Sequence, residues 1–356
     1  MHPTVCRVLS FVVLLHIFSA APASAQWEEG VAAFKKSDFQ TAARLFQSVV
    51  DQDTNNYQGQ YMLGVSLARL KRHEEAIRHL KSAHDLAPQN LSIRMSLATS
   101  YNSMRRYGDV VKLLADVDAS ALPPRVRETH YKMRGSARQK TGDRNGALID
   151  FQNLAKLLPN DPQSQLALAA AAQAVGREQV AREALEKAVR LDGRNLDSRR
   201  SYVKLLVSEA RNAKEPESKK LIERQAAEQA AVLASASRKY EDLMLATGIQ
   251  LQAGLWQDAE SSARQAAAGN SGDWLARYYL GQALSSNGKF DEAEQALQSA
   301  LSLARASGDQ RRVWKQLGFT LELQKKYREA MEAYRKAGDA ASERRMQEKL
   351  STAPQN

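Results

Sequence analysis

At 356 residues the chain is too long for one ordinary compact core and suits a quasi-one-dimensional array. Hydrophobic residues make up 43% and aromatic ones 6%, so the interior must be built mainly from Ala and Leu. Lys and Arg outnumber Asp and Glu by 51 to 40, a net +11. That balance would suit acidic polymers, anionic lipid or nucleic acid, but the charges are interleaved along the chain and read first as a solvated surface. The single cysteine, Cys6, lies near the start, which excludes a disulfide, a thiolate metal site and a Cys nucleophile in all that follows.

Residues 1–25 read as a secretory signal peptide. Arg7 supplies a weak positive start, an apolar run over 8–20 is broken only by Ser10, His16 and Ser19, and Ala23-Ser24-Ala25 offers small residues for cleavage before Gln26. The run is short for a bilayer span. An uncleaved membrane anchor is the alternative; no integral membrane span is expected in the mature chain. The Ala-Ser-Ala-Gln junction resembles bacterial leaders, which implies the periplasm. Nucleic-acid binding is disfavoured, because an exported chain does not meet the genome.

Beyond the leader the apolar residues recur at helical spacing and fall into pairs of amphipathic helices. The first pair occupies 27–56, with Asp38-Phe39 at its turn and Ala42, Phe46 and Val49 on its seam. The second, 57–90, is the clearest. Gly64 permits close approach, Ala76, Leu80 and Ala83 fill the seam, and Pro88 ends the second helix. The third, 91–122, carries Ala98 and Val110 in place of Gly and Ala and is followed by Pro123-Pro124. The fourth, 127–160, turns at Thr141-Gly142-Asp143, and the Ala-rich fifth, 162–195, at Val175-Gly176.

The sixth pair departs from this pattern, with a first helix over about 196–213, then Lys214-Glu215-Pro216-Glu217, then a long helix over about 218–236. Its excess reads either as a protrusion that touches a partner or as a tolerated loop insertion. The seventh, 240–270, turns at Gly254-Leu255-Trp256, and the eighth, 274–304, at Asn287-Gly288-Lys289. The ninth contains Trp314, Gly318, Tyr327, Ala330 and Tyr334. The domain plan is therefore a signal peptide over 1–25, an N-terminal array of about five repeats over 26–195 and an atypical extended hairpin over 196–239. A C-terminal array of about three repeats over 240–340 follows, then a polar capping helix and frayed tail over 341–356.

These pairs share a period. Gly30, Gly64 and Ala98 stand 34 apart, as do Gly135, Ala169 and Val203, and again Thr247 and Gly281; Gly318 heads the last copy. Twelve residues after each anchor except Val203 comes a small or apolar residue: Ala42, Ala76, Val110, Ala147, Ala181, Ala259, Ala293 and Ala330. Four residues further come Phe46, Leu80, Leu114, Phe151, Leu185, Leu297 and Tyr334, with Ala263 as the exception. One such hairpin cannot bury its own apolar face and must stack on copies of itself. The pattern resembles the tetratricopeptide repeat and covers nearly all of the chain after the leader. The resemblance implies an all-α fold, a right-handed α-solenoid of about nine stacked helical hairpins, and partner binding rather than chemistry.

The residues agree that no enzyme is expected. There is no Gly-rich phosphate loop, no G-x-S-x-G and no H-E-x-x-H. His73 and His79 fall on different helix faces, while Glu75 and His79 share one, where a surface contact is expected rather than a metal site. Acidic pairs such as Glu74-Glu75 and Asp291-Glu292 sit at helix starts, where they complement the dipole. No catalytic residue, metal or cofactor is expected.

In stacked hairpins the first helices line the concave face, so positions three before and one after each anchor should face a groove. These are Trp27 and Val31, Tyr61 and Val65, Met95 and Thr99, Lys132 and Ser136, and Leu166 and Ala170. Further on come Met244 and Gly248, Tyr278 and Gln282, and Lys315 and Phe319. The Lys and Asn set with which one family subclass grips peptide carboxyl termini is missing. Tyr and Met suit an extended peptide or a partner helix; the alternative at each position is packing between repeats. The expected function is a non-catalytic protein-interaction scaffold of the bacterial cell envelope, in assembly or secretion. The alternative is a periplasmic accessory of exopolysaccharide synthesis or export, whose basic surface meets an acidic polysaccharide.

Overall fold

The computed structural model describes residues 25–352. The predicted leader, all but Ala25, and the last four residues of the tail lie outside the described residues. All regular structure among these is helical: nineteen α-helices and one short 3-10 turn. The chain divides into two compact units, one ending at Ala181 and one starting at Arg182, each a run of stacked helical hairpins.

The N-terminal unit holds α1 (Ala25–Lys35), α2 (Phe39–Gln52), α3 (Tyr57–Arg69), α4 (His73–Leu86), α5 (Leu91–Ser103) and α6 (Tyr107–Leu113). A 3-10 turn (Ala119–Ala121), α7 (Pro124–Thr141), α8 (Arg144–Leu157) and α9 (Pro162–Ala174) follow. The division falls in the first turn of α10 (Glu178–Leu191). The C-terminal unit continues with α11 (Leu196–Asn212), α12 (Pro216–Ser237), α13 (Tyr240–Gln252), α14 (Trp256–Gly269), α15 (Trp274–Ser286) and α16 (Phe290–Leu303). It closes with α17 (Ser307–Leu323), α18 (Tyr327–Ala337) and α19 (Ala340–Thr352).

The seam of each hairpin is where the sequence pattern places it. Ala42, Ala76, Val110, Ala181, Ala259, Ala293 and Ala330 are wholly buried, and so are Phe46, Leu80, Leu114 and Leu297. A small anchor is required because the large seam residue lies directly over it. A Cβ added at Gly64 would come 2.6 Å from Leu80 Cγ, and one at Gly281 2.5 Å from Leu297 Cγ. Both are closer than any real carbon contact, so the helices would have to part.

The turn inside each regular hairpin is set by one left-handed residue, seven after the anchor. It is a glycine at four places, including Gly142 (φ 87°) and Gly288 (φ 76°), but Ser37, Lys71, Arg105 and Lys325 hold the same conformation with φ of 57–63°. The four glycines stand in the turns expected from the sequence, whereas the four non-glycine occupants carry no mark of a left-handed backbone. The first helices start on Asn or Asp caps in five repeats: Asn56, Asn90, Asp161, Asn195 and Asp273 each accept from a backbone N–H of the first turn.

The two places where anchors stand 37 apart, Ala98 to Gly135 and Gly281 to Gly318, have a common outcome. The extra residues lengthen the start of the following first helix, so α7 has 18 residues and α17 has 17. Pro124 therefore begins α7, its fixed φ and missing N–H being tolerated at the first helical position. The fourth pair thus starts a turn earlier than the predicted 127. In the sixth pair the excess is helical, not loop: α11 has 17 residues and α12 has 22. The buried residues of α12 are Ala226, Ala227, Ala230, Leu233 and Ala234, all from its midpoint onward. Its first half is mostly exposed, Leu221 to 61%.

Candidate functional site

The sixteen inner-face positions expected from the repeat pattern do not share one environment. In the N-terminal unit Tyr61, Val65 and Met95 are buried, with 6%, 8% and 6% of their surface exposed. They belong to one apolar core with Trp27 and Val31 packed against it. Ser96 from the next first helix donates a long hydrogen bond of 3.5 Å to the Tyr61 hydroxyl, and burial pushes that phenol's pKa up. These three positions pack within the apolar core instead of standing open on a groove. Trp27 is half-buried, its ring edge-on to Phe46 at 5.4 Å. Thr99 is half-buried and turns its hydroxyl back to the Met95 carbonyl at 2.7 Å. Lys132 is exposed and pairs along its own helix with Glu128 at 2.6 Å; Ser136 is exposed beside it. Leu166 is half-buried and Ala170 exposed.

In the C-terminal unit none of the expected positions is fully buried. Met244, Gly248, Tyr278 and Gln282 are half-buried, Lys315 is exposed, and Phe319 is 44% exposed. Tyr278, Lys315 and Phe319 come together in one open cavity of about 570 Å³. Its other walls are Arg312 and Gln316 from α17, Tyr334 from α18, and Ser342 and Arg345 from α19. None of these five was singled out as a groove residue from the sequence. Arg312 and Gln316 share a helical face with Phe319, seven and three residues before it, and that spacing was the available sign of them. Ser342 and Arg345 come from a helix whose charge pattern says only that it is a polar cap.

The cavity is cationic and aromatic. The Arg312 guanidinium lies over two rings, 5.7 Å from the centre of Trp274 and 5.5 Å from that of Tyr278. Lys315 pairs with Asp339 at 2.9 Å, and Arg345 with Glu322 at 2.7 Å. Glu322 is a hub, also taking Lys349 at 2.8 Å and the Tyr334 hydroxyl at 2.9 Å. Burial pushes the Glu322 carboxyl up, but these three donors outweigh it and hold it below the ordinary range. The Tyr334 phenol is pushed up, first by burial and then by its bond to Glu322. Burial also raises Tyr278, against the opposing effect of Arg312. The lysine bond lowers Asp339, helped by the Ser342 backbone N–H.

Among the described residues no group of three His, Cys, Asp or Glu side chains is placed to hold a metal. The expected Glu75–His79 contact is replaced: Glu75 pairs with Arg72 at 2.6 Å, and His79 Nδ1 lies 2.8 Å from Gln60 Oε1. The remaining notable group is structural. Asp150 of α8 is wholly buried and takes Arg134 at 2.7 Å and Arg138 at 2.8 Å, both from α7. His130, also wholly buried on α7, has no hydrogen-bond partner on either ring nitrogen. Its pKa is pushed down to about 4 by burial, with Arg134 adding to the effect.

Two family profiles, both described as Tetratricopeptide repeat, match residues 28–90 and 250–317. No curated protein matches the sequence. Among solved structures, one titled MamA AMB-1 is 24% identical, with a TM-score of 0.44 over 48% of this chain and 91% of that one. A second, titled as YrrB, "a TPR protein with an unusual peptide-binding site", is 16% identical, with a TM-score of 0.43 over 57% and 98%. A chain of the structure titled "Naa15/Naa10 bound to HypK-THB" is 11% identical, with a TM-score of 0.50 over 91% of this chain and 51% of that one. The last likeness is one of fold.

Proposed function

The chain is a tetratricopeptide repeat protein, and on that premise we propose that it is a non-catalytic scaffold that binds a peptide segment or helix of a partner protein. The binding face is the wall of first helices in the C-terminal unit, at Tyr278, Lys315 and Phe319. One observation carries this reading: these repeat positions stand around an open cavity, while their counterparts Tyr61 and Met95 are packed away. Repeat arrays commonly use such surfaces for recognition. An exposed Phe beside cations is the mixture of apolar anchor and polar rim that peptide sites use.

The proposed setting is the bacterial cell envelope, after export. It is supported by the leader pattern over 1–25 and by the absence of cysteine after it. Among the described residues no helix is long and apolar enough to cross a membrane. The test is a photoreactive amino acid in place of Phe319 in the native host, with the exposed Ile149 as control. The expected result is a defined protein adduct from position 319 alone. Equal labelling from both positions, or none from 319, would reject the face as the working surface.

A further inference from the structure

The reading above leaves open what chemistry the partner must carry, and the cavity between α15, α17 and α19 narrows it. We propose that it takes an extended peptide segment in which a side-chain carboxylate docks on Arg312 next to an aliphatic or aromatic residue seated on Phe319. This rests on the peptide-binding reading of the same face.

The charges point to an anion. The cavity is lined by three cations and by no carboxylate. Two of the three are already neutralised from behind, Lys315 by Asp339 and Arg345 by Glu322. Arg312 is exposed and makes no ion pair with any described carboxylate; its neighbours are the Trp274 and Tyr278 rings. The guanidinium lies beside both rings and within hydrogen-bonding reach of the Tyr278 hydroxyl, and a guanidinium has five N–H donors, so most of them remain for a planar acceptor. The side chain is thus partly immobilised before any ligand arrives, which lowers the ordering cost of binding.

The apolar part is adjacent. Phe319 is 44% exposed and Leu323, one helical turn further along α17, is 42% exposed. Arg312 and Phe319 are seven residues apart on that helix and so lie on one side of it. A cavity of about 570 Å³ has room for a few side chains, not for a folded domain. An acidic polysaccharide fits less well. The rings of Trp274 and Tyr278 already carry Arg312, so they are not free platforms for a sugar, and a uronate offers no counterpart to Phe319 and Leu323.

The test uses the full chain and a short labelled peptide alternating Glu with Phe and Leu, amidated at its C-terminus so that only side-chain carboxylates are available. Its Gln counterpart and soluble polygalacturonate are the comparison ligands. The Glu peptide should bind more tightly than the Gln peptide by roughly ten- to a hundredfold, the range of a hydrogen-bonded charge. Arg312→Gln should abolish that preference, Arg312→Lys should recover only part of it, and Phe319→Ala should weaken both peptides alike. Both side chains are exposed, so the variants should keep the parent's unfolding midpoint.

Equal binding of the two peptides, unchanged by Arg312→Gln, overturns the acidic preference and leaves the peptide face standing. Binding indifferent to both Arg312→Gln and Phe319→Ala overturns the face as well. Binding of polygalacturonate with neither peptide bound overturns the peptide class altogether.

Discussion

Tyr61 and Tyr278 hold the same place in their repeats, three residues ahead of Gly64 and Gly281, and meet different fates. Tyr61 is sealed in the core of the N-terminal unit, and Tyr278 edges an open cavity in the C-terminal one. Their own hairpins are built alike, with Leu80 and Leu297 seated over the two glycines. The difference lies in the following repeat. At its equivalent position the N-terminal unit has Met95, which joins the apolar core. The C-terminal unit has Lys315, which turns out to Asp339. The buried tyrosine thus goes with an apolar residue at the same position one repeat on, and the open one with a charged residue there.

The largest expected effect tests how far the N-terminal unit depends on its buried charges. Asp150→Ala leaves Arg134 and Arg138 without their shared carboxylate, and should destabilise by about 3–5 kcal/mol in chemical denaturation. A loss below about 1 kcal/mol would mean the arginines find water or another acceptor.

His130 gives the N-terminal unit a pH dependence. Its folded pKa of about 4 lies below the ordinary value of 6.5. Between those values the unfolded chain binds a proton that the folded one does not, so stability falls as pH drops through that window. The full loss, reached below about pH 4, is about 3 kcal/mol. Arg134 and Arg138 deepen the effect and Asp150 opposes it. Unfolding midpoints at pH 7 and 4.5 should diverge less for His130→Gln than for the parent, and an unchanged divergence would refute the assignment.

The comparison is sharpest at its two equivalent positions. Met95→Ala should cost about 2–3 kcal/mol, since it empties part of a packed core. Lys315→Ala should cost no more than about 1 kcal/mol, since it removes one exposed ion pair. Equal costs would erase the distinction between the two walls. The smallest effect is at the turns: Gly288→Ala, forced into a left-handed backbone with open space around it, should lose about 1 kcal/mol. Lys71→Gly should gain less than about 1 kcal/mol, because the relief of strain is offset by a looser unfolded chain.

Much of the fold was legible because the repeat writes its contacts at short range. Anchor and seam residues are twelve and sixteen apart, within one hairpin, so pairs such as Gly64 with Leu80 are visible as a spacing. The turn residue at 71 or 325 was not, because a lysine carries no mark of a left-handed backbone. Of the candidate site, Tyr278, Lys315 and Phe319 were reachable from the period. Arg312 was reachable only by following one face of α17 back seven residues from Phe319. Ser342 and Arg345 come from outside the repeat pattern altogether.

The order of small and large residues along the chain was enough to determine the helical pairs, their period and the seam inside each, since a hairpin's two helices are joined by a short turn and have little choice of partner. Which stretch of inner wall is closed and which is open was settled only by tertiary packing. There Tyr61 shares an apolar core with Met95, and Tyr278 shares an open cavity with Lys315, residues remote from them in sequence.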